Sequence, residues 1–345
     1  MKKIKLGLIG CGGMMKQHAL AINLVESVEI TAVCDVDIER ANNVASALNN
    51  PYVTADYKTM ADKVDAILCV LPHHLHYECG MFFARHKKHI LMEKPLCNSE
   101  EECVSLMETC EEEGVVLMCA YPVRYPPGIV KLKELIDSGN FGKVMQMSIW
   151  TEQLTKAVEG DWKADARLGG GQFFSHGCHY VDILLWFLGK PVKGMHFGTR
   201  VGTPWLMKEG TSMAMFEFES GALGYHGATW GARGTKLGYN YQIHTEKGML
   251  EFDSGAEEIR LYDAGVDHIP GMAEQKTFKV IWTKELESRK ETQHEIRHFV
   301  DCITNGKKPL TDAKSALTGL RIIWKMYEAE KNGMVADLRG LGLDG

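Results

Sequence analysis

Two glycines and an aspartate near the start of the chain have the spacing of a dinucleotide-binding turn. Gly10-x-Gly12 lies between an apolar run and a stretch with helical spacing, and Asp35 closes the next apolar run. Such glycines let a pyrophosphate approach the positive end of a helix, and the carboxylate can bind the adenosine ribose hydroxyls. Because that carboxylate also repels a 2′-phosphate, we expect NAD rather than NADP. Met15 occupies the third glycine position of the G-x-G-x-x-G pattern, so it must push the helix outward or be accommodated by repacking.

A lysine in the tripeptide Glu93-Lys94-Pro95 follows another short apolar run. Ligands of parallel sheets bind at the carboxyl ends of the strands, so this lysine can contact a bound ligand. It can donate a hydrogen bond to a substrate hydroxyl and help to relay a proton. A solvated surface lysine is the alternative, but Pro95 argues against it because proline fixes the turn that aims the side chain. We therefore predict that Lys94 is catalytic.

A third group of residues whose side chains could bind substrate or transfer protons lies in the second half of the chain. Gly169-Gly170-Gly171 precedes a helical stretch that carries Ser175, His176 and His179. Ser175 and His179 are four residues apart and therefore share one helical face. A histidine there can act in acid–base catalysis, or it can be a core residue of an apolar helix, and the spacing alone leaves both open.

Two groups of histidines could hold a metal ion. They are His176-x-x-His179 and the cluster His73-His74-x-His76. Neither has the third ligand or the cysteine spacing of a zinc site, so we predict that the protein binds no metal.

The first 120 residues alternate between strand-like and helix-like patterns. Strand candidates include Ile4–Ile9, Glu29–Cys34 and the almost continuous apolar run Asp65–Leu71, which is typical of a strand covered on both faces. The alternation predicts right-handed crossovers and an α/β, doubly wound parallel sheet. The proline-rich segment Tyr121–Gly128 ends this pattern. We therefore expect a dinucleotide-binding domain of the Rossmann type over residues 1–122.

Beyond this boundary the pattern changes to longer alternating segments. Val144–Thr151, Met213–Glu219 and Tyr239–Thr245 are examples, and helical spacing from Gly177 to Leu188 interrupts them. Runs of strands with few helices predict a large open, mostly antiparallel sheet with helices on one face. We expect residues 123–345 to form an α/β domain for substrate binding and oligomerisation, whose C-terminal helices pack back.

Composition excludes several classes of protein. The 345 residues include 45% hydrophobic and 24% charged residues, which suits about two globular domains. The net charge of −6 argues against a nucleic-acid partner. Neither a membrane span of about 20 apolar residues nor a signal peptide is evident, so we expect no membrane partner and a cytoplasmic location. The ten cysteines form no CxxC pair and are expected to be buried hydrophobes.

Four segments resemble the Gfo/Idh/MocA family of oxidoreductases. They are GLIGCGGMMKQHA at 7–19, DAILCVLPHHLHYE at 65–78, ILMEKPL at 90–96 and WKADARLGGGQFFSHGCHYVDILLWFLG at 162–189. The tail EIRHFVDCITNGKKPLTD at 295–312 is also similar. The resemblance implies a Rossmann domain and an α/β domain with the cofactor between them. It further implies hydride transfer to or from sugars, cyclic polyols and their derivatives, in a homodimer or homotetramer.

The resemblance also assigns roles to individual residues. It places the catalytic histidine at His179 and the family's substrate-binding aspartate at Ser175, which cannot supply negative charge. This departure disfavours an inositol dehydrogenase and favours a less common sugar or glycoside, with His176 binding a hydroxyl instead. Arg124 and Trp162 are expected at the substrate cavity, with a structural salt bridge and ordinary packing as the alternatives.

The residues expected to bind the cofactor come partly from the motifs and partly from the resemblance. They are Gly10, Gly12, Gly13, Met14, Asp35, Leu71, Pro72, His74, His76, Glu93 and Lys94.

The predicted function is NAD-dependent hydride transfer between a secondary alcohol of a sugar, glycoside or cyclic polyol and the nicotinamide, with the direction left open. His179 would take the hydroxyl proton, and Lys94 would stabilise charge on the same oxygen. Which of the two is the formal base stays open. Two alternatives are a redox-neutral glycosidase that keeps NAD bound and oxidises the sugar transiently, and a sensor that binds the cofactor without catalysis.

Overall fold

The computed structural model describes residues 3–158, 161–262, 278–284 and 292–342. The chain divides into two compact units, Met1–Tyr125 with Ser288–Leu317, and Pro126–Glu287 with Thr318–Gly345. The break after Tyr125 falls inside the proline-rich segment. Residues from 288 to 317 belong to the first unit, whereas the sequence pattern assigns them to the second domain.

Eight α-helices are present among the described residues. They are α1 (Gly13–Ile22), α2 (Ile38–Ala45), α3 (His76–Arg85), α4 (Glu100–Glu112), α5 (Pro127–Asp137), α6 (Cys178–Leu188), α7 (Thr292–Asn305) and α8 (Ala313–Lys331).

The first unit contains a six-stranded parallel sheet within the described part of the chain. Its strands are β1 (Ile4–Ile9), β2 (Val28–Cys34), β3 (Tyr52–Thr54), β4 (Ala66–Cys69), β5 (His89–Glu93) and β6 (Leu117–Ala120), in the order β3-β2-β1-β4-β5-β6. All four residues of β4 are buried, which explains its unbroken apolar sequence. The strand order reverses between β1 and β4, where sheets of this kind bind ligands. The predicted doubly wound α/β fold is confirmed.

The core of the first unit joins the start of the chain to α7. Met15 of α1 and Phe299 of α7 are both almost completely buried in one apolar cluster with Leu8 of β1. The methionine at the third glycine position is therefore accommodated as a core side chain. Burial of an unbranched methionine suits an irregular gap between helix and strand.

The second unit contains a nine-stranded mixed sheet in the part that the structure describes. Its strands are β7 (Val144–Glu152), β8 (Pro191–Thr199), β9 (Thr211–Phe218), β10 (Leu223–Thr229), β11 (Tyr239–Thr245), β12 (Gly248–Asp253), β13 (Glu258–Tyr262), β14 (Lys279–Thr283) and β15 (Ala336–Asp337). Their order is β14-β13-β12-β11-β7-β10-β9-β8-β15. Only β7 and β10 run parallel among the described pairs, so the predicted open and mostly antiparallel sheet is also confirmed.

One face of this sheet carries helices. α6 packs against β7 and β10, and nine of its eleven residues are buried. α5 packs against β12, where a Cβ on Gly128 would lie 2.3 Å from the Phe252 ring. Alternation along β9 and β8 leaves the side chains of Phe197, Met213 and Met215 about half exposed. Among the described helices none is both long and apolar enough to cross a membrane.

Candidate functional site

The glycine turn between β1 and α1 leaves the start of the helix accessible. Gly10 has φ +85°, and a Cβ there would lie 2.3 Å from the carbonyl oxygen of Val70, so only glycine fits. At Gly12 and Gly13 a Cβ would meet no heavy atom of another described residue within 4 Å, apart from the adjacent turn and helix backbone. Met14 is exposed. Amides of a first helical turn lack partners inside the helix, so this turn can bind an anionic phosphate.

Asp35 lies half-buried at the end of β2 and fixes the same turn. One carboxylate oxygen accepts the Cys11 amide proton at 2.6 Å, and the other accepts that of Asp37 at 2.9 Å. Each carboxylate oxygen has a further acceptor direction, so Asp35 can also accept ribose hydroxyls. The open glycine turn and this carboxylate together fit the pyrophosphate and ribose of NAD.

Lys94 follows β5 at the carboxyl edge of the sheet and is partly exposed. Its amide donates to Oε2 of Glu93 at 3.1 Å, and Oε1 of Glu93 lies 2.9 Å from Nε2 of His18 in α1. Burial acts to raise the pKa of Glu93, but the hydrogen bond and charge of His18, together with Lys94, outweigh burial and lower it. An ionised carboxylate therefore lies beside Lys94.

The turn after β4 places its predicted site residues in different environments. His74 is exposed, Leu71 and Pro72 are half-buried, and His76 is completely buried. The His76 ring lies between two carbonyl oxygens, with Nδ1 2.9 Å from Pro95 and Nε2 2.9 Å from Leu71. Burial lowers the pKa of His76, against the opposing effect of these carbonyls. His76 thus connects the turn after β4 to the turn at Pro95 through hydrogen bonds in the protein interior.

Arg124 is buried in the first unit, with 6% of its surface exposed. Its Nη1 donates to the carbonyl oxygen of Leu310 at 2.9 Å. The neighbouring Tyr125 hydroxyl lies 3.4 Å from Oγ1 of Thr311. These contacts fix the segment before α8 to the turn after β6, within the same unit.

The helix that carries the predicted substrate residues begins with a π-helical turn, Phe173–Gly177, and continues directly into α6. Ser175 and His179 are buried, at 4% and 7% exposure, and His176 is half-buried. The rings of His176 and His179 are 5.9 Å apart. Spacing in the sequence predicts a plain α-helix here. Isolated π turns are rare and are concentrated at functional sites.

A chain of polar side chains orients His176. Its Nδ1 lies 3.4 Å from Nε2 of Gln172, and its Nε2 lies 3.4 Å from the Tyr239 hydroxyl. Tyr239 donates to Gln153 at 2.6 Å, so the phenol oxygen can accept from His176, and Ser212 donates to Gln172 at 2.6 Å. Burial raises the pKa of Tyr239 to about 12. With its proton on Nε2, His176 donates to the Tyr239 hydroxyl while its Nδ1 accepts from Gln172.

Trp162 is half-buried in a short 3₁₀ turn, Trp162–Ala164, that packs on the triple glycine. A Cβ on Gly170 would lie 2.5 Å from the carbonyl oxygen of Lys163, so this glycine permits the close approach of the loop. The Gly170 amide also donates to the carbonyl oxygen of Asp165 at 3.0 Å. The loop is thereby fixed to the start of the substrate helix.

The described part of the chain offers neither a cluster of metal ligands nor a reactive thiol for the site. Among those residues no group of three or more His, Cys, Asp or Glu side chains could hold a metal ion. All ten cysteines are buried free thiols. Burial, followed by the charge of Asp35, raises the pKa of both Cys11 and Cys34 to about 12. These two thiols therefore stay protonated at neutral pH.

Several residues that shape the site escaped the sequence analysis. His18, Gln153 and Tyr239 act through contacts with residues far away in the sequence. His18 has a weak signal, since it is a histidine on the buried face of an amphipathic helix. Nothing in the local sequence marks Gln153 or Tyr239.

The parallel sheet with its glycine turn and Asp35 defines a dinucleotide-binding unit, and the chain also forms a second unit built on a mixed sheet. Residues 4–121 match the family model described as "Oxidoreductase family, NAD-binding Rossmann fold", and residues 129–251 match "GFO/IDH/MocA C-terminal domain". The chain belongs to the Gfo/Idh/MocA family of oxidoreductases. The predicted family and the predicted NAD-binding domain are confirmed.

Two relatives can be aligned with almost the whole chain. D-xylose 1-dehydrogenase (NADP(+)) 2 of Haloferax volcanii is 25% identical, over 96% of this chain and 99% of its own. The scyllo-inositol 2-dehydrogenase (NAD(+)) of Bacillus subtilis is 26% identical, over 97% and 96%. A crystal structure of levoglucosan dehydrogenase with NADH and levoglucosan superposes with a TM-score of 0.87 at 20% identity, covering 98% of this chain and 100% of that chain. That structure establishes a shared fold.

Proposed function

We propose that this protein is an NAD-dependent dehydrogenase that acts on a secondary alcohol of a sugar, glycoside or cyclic polyol. The observation that carries the proposal is Lys94, partly exposed at the carboxyl edge of the NAD-binding sheet and fixed by the buried carboxylate of Glu93. Two relatives are named for D-xylose and scyllo-inositol, and each of these molecules carries several secondary hydroxyl groups.

The proposed roles follow from side-chain chemistry. His179 accepts the proton of the substrate hydroxyl, and Lys94 donates a hydrogen bond to the same oxygen as negative charge develops on it. Bound NAD supplies the acceptor for the hydride. Glu93 keeps its negative charge, and its carboxylate accepts the Lys94 amide proton, which fixes the backbone from which the lysine side chain extends.

Substrate binding is assigned to the helix of the second unit together with the loops around it. Ser175 and His176 bind hydroxyls as neutral groups, and Trp162 offers an aromatic face to the apolar side of a sugar ring. Arg124 supports the site through its bond to Leu310. The cofactor contacts are assigned to the glycine turn, Asp35 and the exposed His74, with His76 holding the turns in place.

The choice of NAD over NADP rests on Asp35. A carboxylate at the end of β2 accepts the ribose hydroxyls and repels a 2′-phosphate. Relatives include enzymes named for NADP and for NAD, so this residue carries the assignment rather than family membership.

We also propose a cytoplasmic homodimer or homotetramer. Ten buried free thiols suit a reducing compartment. The half-exposed Phe197, Met213 and Met215 on the second sheet suit an apolar contact between copies. Light scattering coupled to size-exclusion chromatography measures the number of copies, and a monomer at micromolar concentration would overturn this part.

The activity is tested with purified protein, NAD and a panel of inositols, free sugars and glycosides, following reduced nicotinamide by absorbance. We expect one substrate class to react, and Lys94→Ala or His179→Ala to lower kcat by about 10²-fold or more. If both act on one oxygen, the double variant loses much less than the product of the two effects. Lys58→Ala, an exposed lysine of the same unit, is the control.

The test also separates this function from the alternatives. Glycoside cleavage without accumulation of free NADH would instead indicate the redox-neutral glycosidase. Retained cofactor without turnover on any substrate would indicate a sensor. The full-length relatives are named as dehydrogenases, which does not favour either alternative.

A further inference from the structure

We propose that Glu209 and Tyr327 are positioning residues that cap the π-helical turn Phe173–Gly177 from outside the helix. They thereby set the position of the side chains that meet the substrate. This inference rests on the proposed function, because it assigns their kinetic effect to the same substrate helix.

Three successive amides at the start of the helix are bound by these two residues. The Phe173 amide donates to Oε1 of Glu209 at 3.0 Å, and the Phe174 amide donates to the Tyr327 hydroxyl at 3.2 Å. The Gln172 amide donates to the backbone carbonyl of Glu209 at 2.9 Å. Helices begin with amides that have no partner inside the helix, and here a distant loop and α8 supply the acceptors.

The two caps are joined to each other. The Tyr327 hydroxyl donates to Oε1 of Glu209 at 2.6 Å, so one carboxylate oxygen receives both the helix amide and the phenol. Burial and the charge of Glu209 raise the pKa of Tyr327 well above its usual value, so it remains a donor at neutral pH. A carboxylate at this end of the helix also lies in the favourable field of the helix dipole.

The glycine before the helix makes room for this cap. Gly171 has φ +109°, and a Cβ there would lie 3.1 Å from Oε1 of Glu209. The Tyr327 ring also packs edge-on against Phe173, with centroids 5.6 Å apart, and Phe173 stacks on His196. Removing the Tyr327 hydroxyl alone therefore leaves the aromatic packing in place. These hydrogen bonds hold the backbone just before Ser175. We therefore expect their loss to displace the side chains that bind the substrate and to leave the core in place.

The test compares Tyr327→Phe with a matched control. Tyr262→Phe removes a phenol that donates to Oε2 of Glu251 at 2.9 Å on another part of the same sheet, away from the helix. Glu209→Gln and Glu209→Ala form a second pair, since glutamine keeps an oxygen that can accept an amide proton. Amide hydrogen exchange of residues 172–177 is measured by mass spectrometry on the full chain without substrate. Steady-state kinetics are then measured for each variant.

We expect Tyr327→Phe to speed exchange in residues 172–177 about tenfold and to lower kcat about tenfold, with KM for NAD unchanged. Glu209→Ala has the larger effect, and Glu209→Gln recovers part of the activity and the protection. Unchanged exchange in Tyr327→Phe, or equal changes in Tyr262→Phe, would overturn the inference. Because exchange needs no turnover, it tests the cap even if no substrate in the panel reacts and the proposed dehydrogenase function fails.

Discussion

Glu93 and His18 form a buried hydrogen-bonded pair, with Oε1 and Nε2 2.9 Å apart, that joins the end of β5 to the middle of α1. The first residue precedes Lys94, and the second lies on the helix that starts at the glycine turn. The position of the lysine is therefore coupled mechanically to the helix expected to meet the cofactor phosphates. Neither residue is exposed enough for water to replace the bond.

Replacing Glu93 by glutamine tests this pair. The pKa of Glu93 is lowered in the fold, so its stabilising effect is present above the ordinary pKa of a glutamate and is lost as the pH falls through the lowered value. We expect Glu93→Gln to reduce the free energy of unfolding by about 2 kcal/mol at pH 7. The difference should shrink between pH 5 and pH 3. Urea titrations at each pH measure it, and a loss independent of pH would contradict an ionised Glu93 in the folded protein.

For Glu295 of α7 we predict that the stability of the fold depends on pH in the opposite direction. It is completely buried, and neither carboxyl oxygen has a hydrogen-bond partner among the described residues. Burial, with the charge of Glu93 added, raises its pKa well above the usual value. The unfolded chain ionises this group first as the pH rises, so stability falls above the ordinary glutamate pKa.

Glu295→Gln removes that penalty. We expect the variant to match the original protein near pH 4 and to have a higher Tm at pH 8, by about 2–4 °C for each kcal/mol gained. Calorimetry across this range compares the two proteins. A lower Tm of the variant at pH 8 would show that the ionised carboxylate is stabilised by something else.

Asp35→Ser tests the preference for NAD. Serine keeps an acceptor for the Cys11 amide but removes the charge that meets the ribose. We expect the Kd for NAD to rise about tenfold, because hydrogen bonds to charged groups contribute about 1.5–3 kcal/mol, while the Kd for NADP changes less or falls. Titration calorimetry measures both. The exposed Asp62 of the same unit, changed to serine, controls for net charge, and equal effects at the two positions would refute the assignment.

Ser175→Asp tests the role proposed for Ser175 in substrate binding. A carboxylate accepts hydrogen bonds from two hydroxyls of a polyol, which the neutral serine does less well. We expect the ratio of kcat/KM for inositols to that for the preferred sugar to rise about tenfold. Ser175→Asn, with similar size and no charge, should leave the ratio nearly unchanged. An equal shift in both variants would point to size instead of charge.

The sequence predicts the first unit well because its signals are local. The predicted first strand, Ile4–Ile9, coincides with β1, and Ser99 caps α4 by accepting the Glu102 amide. The glycine turn, Asp35 and Lys94 lie at strand ends, and the topology of a parallel sheet brings such ends to one edge. These features depend on periodicity and turn chemistry, which a single sequence carries.

The missing features depend on contacts between distant residues. The π turn before α6 is held by Glu209 and Tyr327, and no local pattern marks either residue. A glutamate such as Glu295 on an amphipathic helix predicts a solvated side chain, yet it is buried. β15, with two residues, is too short for any periodicity.

The outer edge of β8 is covered by the chain itself. β15 pairs with residues 193 and 194, the Leu338 amide donates to the carbonyl oxygen of Val192, and Glu330 accepts the Gly198 amide at 2.7 Å. An uncovered edge strand is a template on which another polypeptide can add by backbone hydrogen bonds. The end of α8 and the segment after it therefore cover part of an edge on which another polypeptide could pair. We expect loss of residues 332–342 to uncover this edge and to increase aggregation, without removing a residue assigned to chemistry.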